Sequence, residues 1–253
     1  MKVSNAMPET ALKRDPIVPP GSCVYAIGDI HGRADLLEIL HRKICEDAAS
    51  RRAKRRVVVY LGDYIDRGSS SRQVIDLLLD RPLPGFEAIH LLGNHEDSLL
   101  RFLDDTVAGP PWLFYGGEAT VASYGINPAA QLPAGEDPIL RMQAELRRRL
   151  PPRHLEFLKG LKLMHVEGDY LFVHAGIRPG VPLDRQKPED LLWIRREFLT
   201  STIDHGRVVV HGHSISTWPE NRANRIGIDT GAFASDRLTC LVLEGKARSF
   251  LQS

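Results

Sequence analysis

The feature that most constrains this chain is a repeated junction. An apolar, β-branched run empties into a short glycine-containing loop that carries carboxylate, imidazole or amide side chains. Val57-Val58-Val59-Tyr60-Leu61 leads into Gly62-Asp63-Tyr64-Ile65-Asp66-Arg67-Gly68. Cys23–Ile27 leads into Gly28-Asp29-Ile30-His31-Gly32, and Phe86–Leu92 into Gly93-Asn94-His95-Glu96. Tyr170–Val173 ends on His174-Ala175-Gly176, and Val208–Val210 on His211-Gly212-His213. Runs of this kind, stopped by glycine, predict buried strands opening into tight loops. A structural turn has use for one Asp or Asn, whereas these loops bring ligand-type side chains to the ends of five predicted strands. That pattern predicts a site for two metal ions.

Between the junctions the period changes to that of helices. Leu36, Leu37, Leu40 and Ile44 predict a helix over Ala34–Ala49. Val74, Ile75, Leu78 and Leu79 predict another, capped near Ser70 or Ser71 and stopped by Pro82 and Pro84. A short helix is predicted over Asp97–Leu103. Strand, loop and helix in that order, three times over, imply a mainly parallel sheet with its ligands at the carboxyl ends. From Thr106 to Leu161 the rhythm breaks. Gly109–Trp112 is expected as loop, with helices over Glu118–Tyr124 and Ile139–Leu150. We read about 105–160 as a mainly helical insertion shaping a substrate cleft. Beyond it, Leu163–Val166 and Tyr170–His174 predict a hairpin, and Pro188–Phe198 a single helix. Val208–Val210, Arg225–Ile228, Leu238–Leu243 and Ala247–Leu251 predict strands of a second, more antiparallel sheet.

With 253 residues, the chain fits one large domain, here expected over 22–253 behind a flexible leader, 1–21. A formal net charge of +1 gives no global field favouring nucleic acid or an acidic membrane. The basic run Arg51–Arg56 has no interleaved aromatics and is expected at a solvated helix end. Three widely spaced cysteines, Cys23, Cys45 and Cys240, form neither a disulfide framework nor a zinc pair. No apolar run reaches the roughly 18 residues of a membrane span. These features predict a cytoplasmic protein with no membrane or nucleic-acid partner.

Asp29-x-His31-Gly32, Gly62-Asp63-Tyr64-Ile65-Asp66-Arg67-Gly68, Gly93-Asn94-His95-Glu96, His174-Ala175-Gly176 and Gly212-His213, in that order, resemble the calcineurin-like metallophosphoesterases. Asp66 followed by Arg67 is similar, within them, to the phosphoprotein phosphatases, especially the compact bacterial and phage serine/threonine enzymes. Trp112–Gly117 is also similar to their pattern. The resemblance implies an α/β, four-layer fold, with two mixed β-sheets packed face to face and flanked by helices. It implies two divalent metal ions, manganese first, with iron or zinc as alternatives. Asp29, His31 and Asp63 would hold one ion, and Asn94, His174 and His213 the other, with Asp63 bridging. His95 would be the general acid, and Asp66 would fix its ring. Arg67 and Arg195, with Asn94 and His95, would grip the phosphate; Arg195 is chosen because it stands two after Trp193. The implied reaction is in-line attack of a metal-bridging hydroxide on phosphoserine, phosphothreonine or phosphotyrosine. The partner would be a phosphorylated protein or peptide and the enzyme a monomer.

Plainer readings stand beside these. Asp66 could be an ion-pair partner of Arg67, Arg195 could lie on a solvated helix face, and Glu96 could cap the helix it opens. His41, His90, His154, His165 and His205 are expected in structural roles, His211 in the core or behind the ligands, and Asp229 in a turn. Diadenosine tetraphosphate hydrolases share much of the pattern but usually lack an Asp66 equivalent, and a degenerate phosphopeptide-binding module would keep only the fold. Ile215, where some relatives have a second histidine, favours the phosphatase branch.

Overall fold

The computed structural model describes residues 15–128 and 135–253. Its first sheet begins with the junctions themselves. Strand β1 (Ser22–Ile27) pairs in parallel with β2 (Arg55–Tyr60), and β2 with β3 (Glu87–His90). Helices α1 (Ala34–Ser50) and α2 (Ser71–Asp80) form the crossovers. The second sheet runs through β4 (Met164–Glu167), β5 (Tyr170–Val173), β6 (Val208–His211), β7 (Glu220–Asn221) and β8 (Arg225–Gly227), in the order β4-β5-β6-β8-β7.

The last two strands depart from expectation. β9 (Thr239–Glu244) and β10 (Ala247–Gln252) do not join the second sheet but complete the first, whose order is β10-β9-β1-β2-β3. β9 lies antiparallel to β1, with Ala26 opposite Leu241. Burial on both faces explains the choice. Leu241 and Leu243 enter the layer between the sheets, while Cys240 and Val242 pack under the helices. A strand apolar on both sides belongs inside a covered sheet. The second sheet is correspondingly mixed, with β5, β6 and β8 parallel.

The same two-sided burial repeats in β1 and β2 and makes four layers. Val24, Ala26, Val57 and Val59 meet Phe172, Val208, Val210 and Ile226 between the sheets. Tyr25, Ile27, Val58 and Tyr60 face the opposite way, onto Leu37, Leu40, Val74 and Ile75 of α1 and α2. Leu171, Val173 and Val209 cover the outer face of the second sheet with Leu191 and Phe198. Packing two faces at once requires unbroken apolar strands, which is why the runs do not alternate.

Three helical expectations change. Helix α3 spans Asn94–Asp104, so the ligand-type residues Asn94 and His95 lie in its first turn instead of in a loop before it. Gly109–Trp112, expected as loop, is the short helix α4, with Pro110 and Pro111 in its first turn, where a missing N–H costs nothing. The region continues through a widened turn, Leu113–Gly117, into α5 (Glu118–Ser123), α6 (Pro138–Arg149) and α7 (Pro152–Lys159).

The expected helix Pro188–Phe198 is broken in two, α8 (Pro188–Trp193) and α9 (Arg196–Leu199), because Ile194 turns extended between them. Arg195 therefore sits at a kink and not inside a helix. The basic run is not one solvated helix end either. Arg51 pairs with Asp47 and Glu244, and Arg55, already in β2, with Glu87 and Glu167. Of the expected leader, 1–14 lie outside the described residues. From Ile17 the chain is tied down, its N–H donating to Asp169 and that of Val18 to Gly245.

Structural histidines are expected to make the fold acid-sensitive. His41 accepts from or donates to the Tyr60 hydroxyl (2.9 Å), and His90 stacks on the Tyr60 ring at 4.8 Å. Burial lowers both pKa values from 6.5 to about 4. The unfolded chain then binds more protons than the folded one between those limits, so stability is full above about pH 6.5 and falls as pH drops toward 4. Each group contributes on the order of 2–3 kcal/mol across that window. Urea unfolding at pH 7 and pH 4.5 should show the loss, and a His41→Gln/His90→Gln variant should show a flatter profile. An unchanged slope in the variant would assign the acid sensitivity elsewhere.

Candidate active site

Both parallel strand sets point their carboxyl ends at one place, and the five loops meet there. Asp63 is its centre. His31 Nε2 lies 3.4 Å from Asp63 Oδ2, His174 Nε2 3.5 Å from Asp63 Oδ1, and His95 Nε2 3.8 Å from Asp63 Oδ2. Two groups of side chains share this carboxylate with ligand atoms within 4.8 Å of one another: His31, Asp63 and His95, and Asp63, His174 and His213. All five residues are buried.

Asp29 stands beside them. Its Oδ2 accepts from the His213 backbone N–H (2.9 Å), while its Oδ1 is buried without a partner, as is His213 Nε2. Asn94 Oδ1 lies 2.8 Å from His174 Nε2. Buried polar atoms left without partners are rare, because each costs on the order of 1–3 kcal/mol. Two of the orphans here are a carboxylate oxygen and an imidazole nitrogen beside Asp63, donors that suit a divalent transition ion.

The electrostatics agree with that donor set. Burial lowers the pKa of His31 to about 3, and also lowers those of His174 and His213, so these rings stay neutral with a lone pair to offer. The Nδ1 of His31 faces the Ile65 carbonyl and that of His174 the Leu61 carbonyl, both at 2.9 Å, which directs each Nε2 inward. Burial and the nearby Asp229 and Asp63 charges push the Asp29 carboxyl well above the usual range. A buried carboxyl that resists ionisation, as that of Asp29 does, is what a cation would relieve. The residues present fit a two-ion centre.

Asp66 does not pair with Arg67. Its carboxylate is fully buried and accepts from His95 Nδ1 (2.7 Å), Trp112 Nε1 (2.8 Å) and Thr120 Oγ1 (2.6 Å). His95 is thereby fixed with Nε2 toward Asp63. Burial works against its charged form, but the Asp63 and Asp66 carboxylates outweigh it and hold its pKa above the ordinary value. Arg67 extends its guanidinium toward His31 Nε2 (2.9 Å) and His95 Nε2 (3.2 Å) and packs it over the Phe233 ring at 4.8 Å. Arg195 is exposed and donates to the His213 carbonyl (3.1 Å), at the opposite rim.

Three features were not legible in the motifs. Glu96 does more than cap a helix. Its buried carboxylate accepts from Gly93 N (3.1 Å), Asp63 N (2.9 Å), Tyr64 N (2.8 Å) and Ile65 N (3.2 Å), lacing two of the ligand loops together. Gly93 is required there, since a Cβ would come within 2.2 Å of Asp63 Oδ1. Glu96→Gln would turn an amide N–H toward these donors and leave at least two unpaired. We expect a loss of about 3–5 kcal/mol, read as a fall in melting temperature of roughly 10 °C, with metal content reduced as well. An unchanged melting temperature would refute the lacing role.

The second feature is backbone strain. Among the described residues, the non-glycine positions with positive φ are His31, Asp63, Asp66, Arg67, His213 and Asp236. All but Asp236 belong to this site. Each costs on the order of 1–3 kcal/mol and persists because the surrounding bonds hold it. The third is Asp229. It makes its turn, accepting from the Gly231 N–H (2.9 Å), but it is also buried, and burial together with Asp63 pushes its pKa up to about 6. It is a third carboxylate close to Asp29 and Asp63. Of the other histidines, His154 pairs with Tyr124 and Asp76 and His165 with Glu167, while His205 and His211 pack against Phe198 with their Nε2 atoms buried and unpartnered.

The calcineurin-like phosphoesterase family matches residues 24–240. A bis(5'-nucleosyl)-tetraphosphatase PrpE (asymmetrical) of Bacillus thuringiensis is 28% identical, over 85% of this chain and 88% of the relative. Its namesake from Anoxybacillus flavithermus is 25% identical over the same shares. Among solved structures, one provisionally described as a diadenosine tetraphosphatase shares 21% identity, 95% of this chain and 99% of its own, with a TM-score of 0.62. A cold-active protein tyrosine phosphatase shares 16% identity, 93% of this chain and 81% of its own, at 0.59. A Saccharomyces cerevisiae protein serine/threonine phosphatase shares 16%, 94% of this chain and 84% of its own, at 0.56. At such identities the structures speak for the fold alone, two five-stranded mixed sheets between helices. The family match carries more, because it runs through all five ligand loops, and on that ground the chain belongs to the calcineurin-like phosphoesterases.

Proposed function

We propose that this phosphoesterase is a phosphomonoesterase acting on phosphorylated protein side chains. The observation that carries the reading is the Asp66–His95 pair. An alkoxide or phenoxide leaves poorly without a proton, and His95, held by Asp66 at 2.7 Å, presents one at Nε2. A nucleotide leaving group departs as a stable phosphate anion and has much less need of such an acid. Trp112 and Thr120, drawn from the insertion to Asp66, support this reading by holding the carboxylate that orients His95.

In this reading Asp29, His31 and Asp63 hold one divalent ion, and Asp63, Asn94, His174 and His213 the second. When bound, the pair supplies charge neutralisation and an acidified water; manganese is proposed first, iron or zinc next. The chain's own residues do the rest. Arg67 and Arg195 grip phosphate oxygens from opposite rims, with guanidinium forks suited to paired oxygens. Asn94 and His95, adjacent in the first turn of α3, face the same phosphate. Phe233 keeps the Arg67 guanidinium over the site. His95 then gives its Nε2 proton to the leaving oxygen while Asp66 stabilises the ring. Among the described residues, no helix is long and apolar enough to cross a membrane; a cytoplasmic, monomeric enzyme remains our proposal.

A second reading, hydrolysis of dinucleoside tetraphosphates, is favoured by the curated tetraphosphatase relatives. Phosphate release from phosphopeptides, measured beside diadenosine tetraphosphate cleavage, separates the two. A dominant dinucleotide reaction would remove the protein phosphatase reading.

A further inference from the structure

One cleft opens directly beside the proton donor. Asn94 and His95 form one wall, Ser98 and Arg101 continue it along α3, and Pro111, Trp112, Tyr115 and Trp193 close it, leaving about 200 Å³. Trp112 is buried, but Tyr115 and Trp193 stay half-exposed, at 59% and 45%. Large aromatics are seldom left to water in pairs beside a catalytic group without a ligand to cover. Trp193 is also held in place, edge-on to His213 with ring centroids 6.1 Å apart. The backbone next to Tyr115 is fixed by its turn. Gly116, at φ 113°, lets the backbone press onto Arg67, whose N–H donates to the Gly116 carbonyl at 3.1 Å.

Because His95 is in its wall, this cleft receives whatever the scissile oxygen carries away. Its chemistry then selects the leaving group. Among the described residues its lining holds, apart from the proton donor His95, one cation, Arg101, already paired with Asp97 at 2.8 Å. Ser98 donates to the Asn94 carbonyl at 2.7 Å. Beyond the single proton of His95, nothing there compensates the several negative charges of a nucleotide leaving group, and the volume is below that of typical small-molecule sites. Serine and threonine offer no ring to lie against the aromatic walls. One planar ring fits both the volume and the walls.

We infer that the Tyr115–Trp193 cleft is a leaving-group subsite for the phenol ring of phosphotyrosine, which makes tyrosine a preferred substrate residue of this phosphatase. The inference rests on the protein phosphatase reading above and adds a specificity-determining residue, Tyr115.

The test uses two peptides of one sequence, carrying phosphotyrosine or phosphothreonine, with the manganese-loaded full chain. An aryl ester is intrinsically easier to cleave, so the decisive quantity is how Tyr115 changes the ratio of kcat/KM values. We expect Tyr115→Ala to lower kcat/KM for the phosphotyrosine peptide about tenfold, chiefly through KM, as loss of a ring–ring contact and its burial predicts. The phosphothreonine peptide should change less than threefold, and Tyr115→Phe should behave as the parent. Equal losses on both peptides, or no loss on either, would overturn the subsite. If the parent cleaves neither peptide but cleaves diadenosine tetraphosphate, the protein phosphatase reading falls and the subsite with it. Cleavage of both peptides with no effect of Tyr115 would overturn the subsite alone.

Discussion

Asp63→Asn should abolish stoichiometric metal binding and lower turnover by roughly 10³-fold or more, the scale of the several kcal/mol a metal pair supplies. Both proposed ions depend on this one carboxylate, whose oxygens face His31 and His95 on one side and His174 on the other. Asparagine is the informative replacement. Position 63 has φ 51°, which Asn tolerates better than Ala, so the loop should keep its shape. The change removes the charge and one metal-facing oxygen with little else. Elemental analysis after dialysis, together with phosphate release, reads both effects. An Asp63→Asn protein that still binds two manganese ions per chain would refute the shared-bridge assignment.

The second large effect is expected at His95. His95→Asn should retain the metals and lose about 10²–10⁴-fold in rate, the range for a positioned general acid. The loss should depend on the leaving group. A phenoxide, whose conjugate acid has a pKa near 10, needs the proton less than a threonine alkoxide does. The phosphothreonine peptide should therefore suffer more than the phosphotyrosine peptide. Equal losses on the two peptides would count against proton donation and for a role of His95 in holding a metal, since its Nε2 lies within reach of Asp63. Asp66→Asn should follow the same leaving-group trend, more weakly, because it weakens the orientation of His95 without removing the ring.

Much of this site could be read in the sequence because its side chains sit at strand ends, where a local motif fixes the loop. Asp29, His31, Asp63, Asn94, His95, His174 and His213 were each marked by an apolar run and a neighbouring glycine, and the fold gathers all seven. The less legible parts are contacts across long sequence separations. Trp112 and Thr120 reach Asp66 from 46 and 54 positions away, and no local pattern announces such a bond. Glu96 looked like a helix cap because its partners Asp63, Tyr64 and Ile65 lie on a different loop. The placement of β9 and β10 in the first sheet was lost for a similar reason. Their apolar runs show that they are buried strands, but a run does not say which sheet it borders. Arg195 was misplaced inside a helix because Pro188–Phe198 has no internal glycine or proline to signal the break at Ile194. Left-handed backbone at His31, Asp63, Asp66, Arg67 and His213 could not be read locally either: Asp and His tolerate it better than most residues, but the tertiary bonds decide where it is adopted.

The most direct measurement is a side-by-side comparison of manganese-dependent kcat/KM for a phosphopeptide and for diadenosine tetraphosphate, using one preparation. The account predicts faster phosphopeptide hydrolysis, falling by at least 10²-fold in His95→Asn. Faster dinucleotide cleavage, insensitive to His95, would contradict it and assign the Asp66–His95 pair a purely structural role.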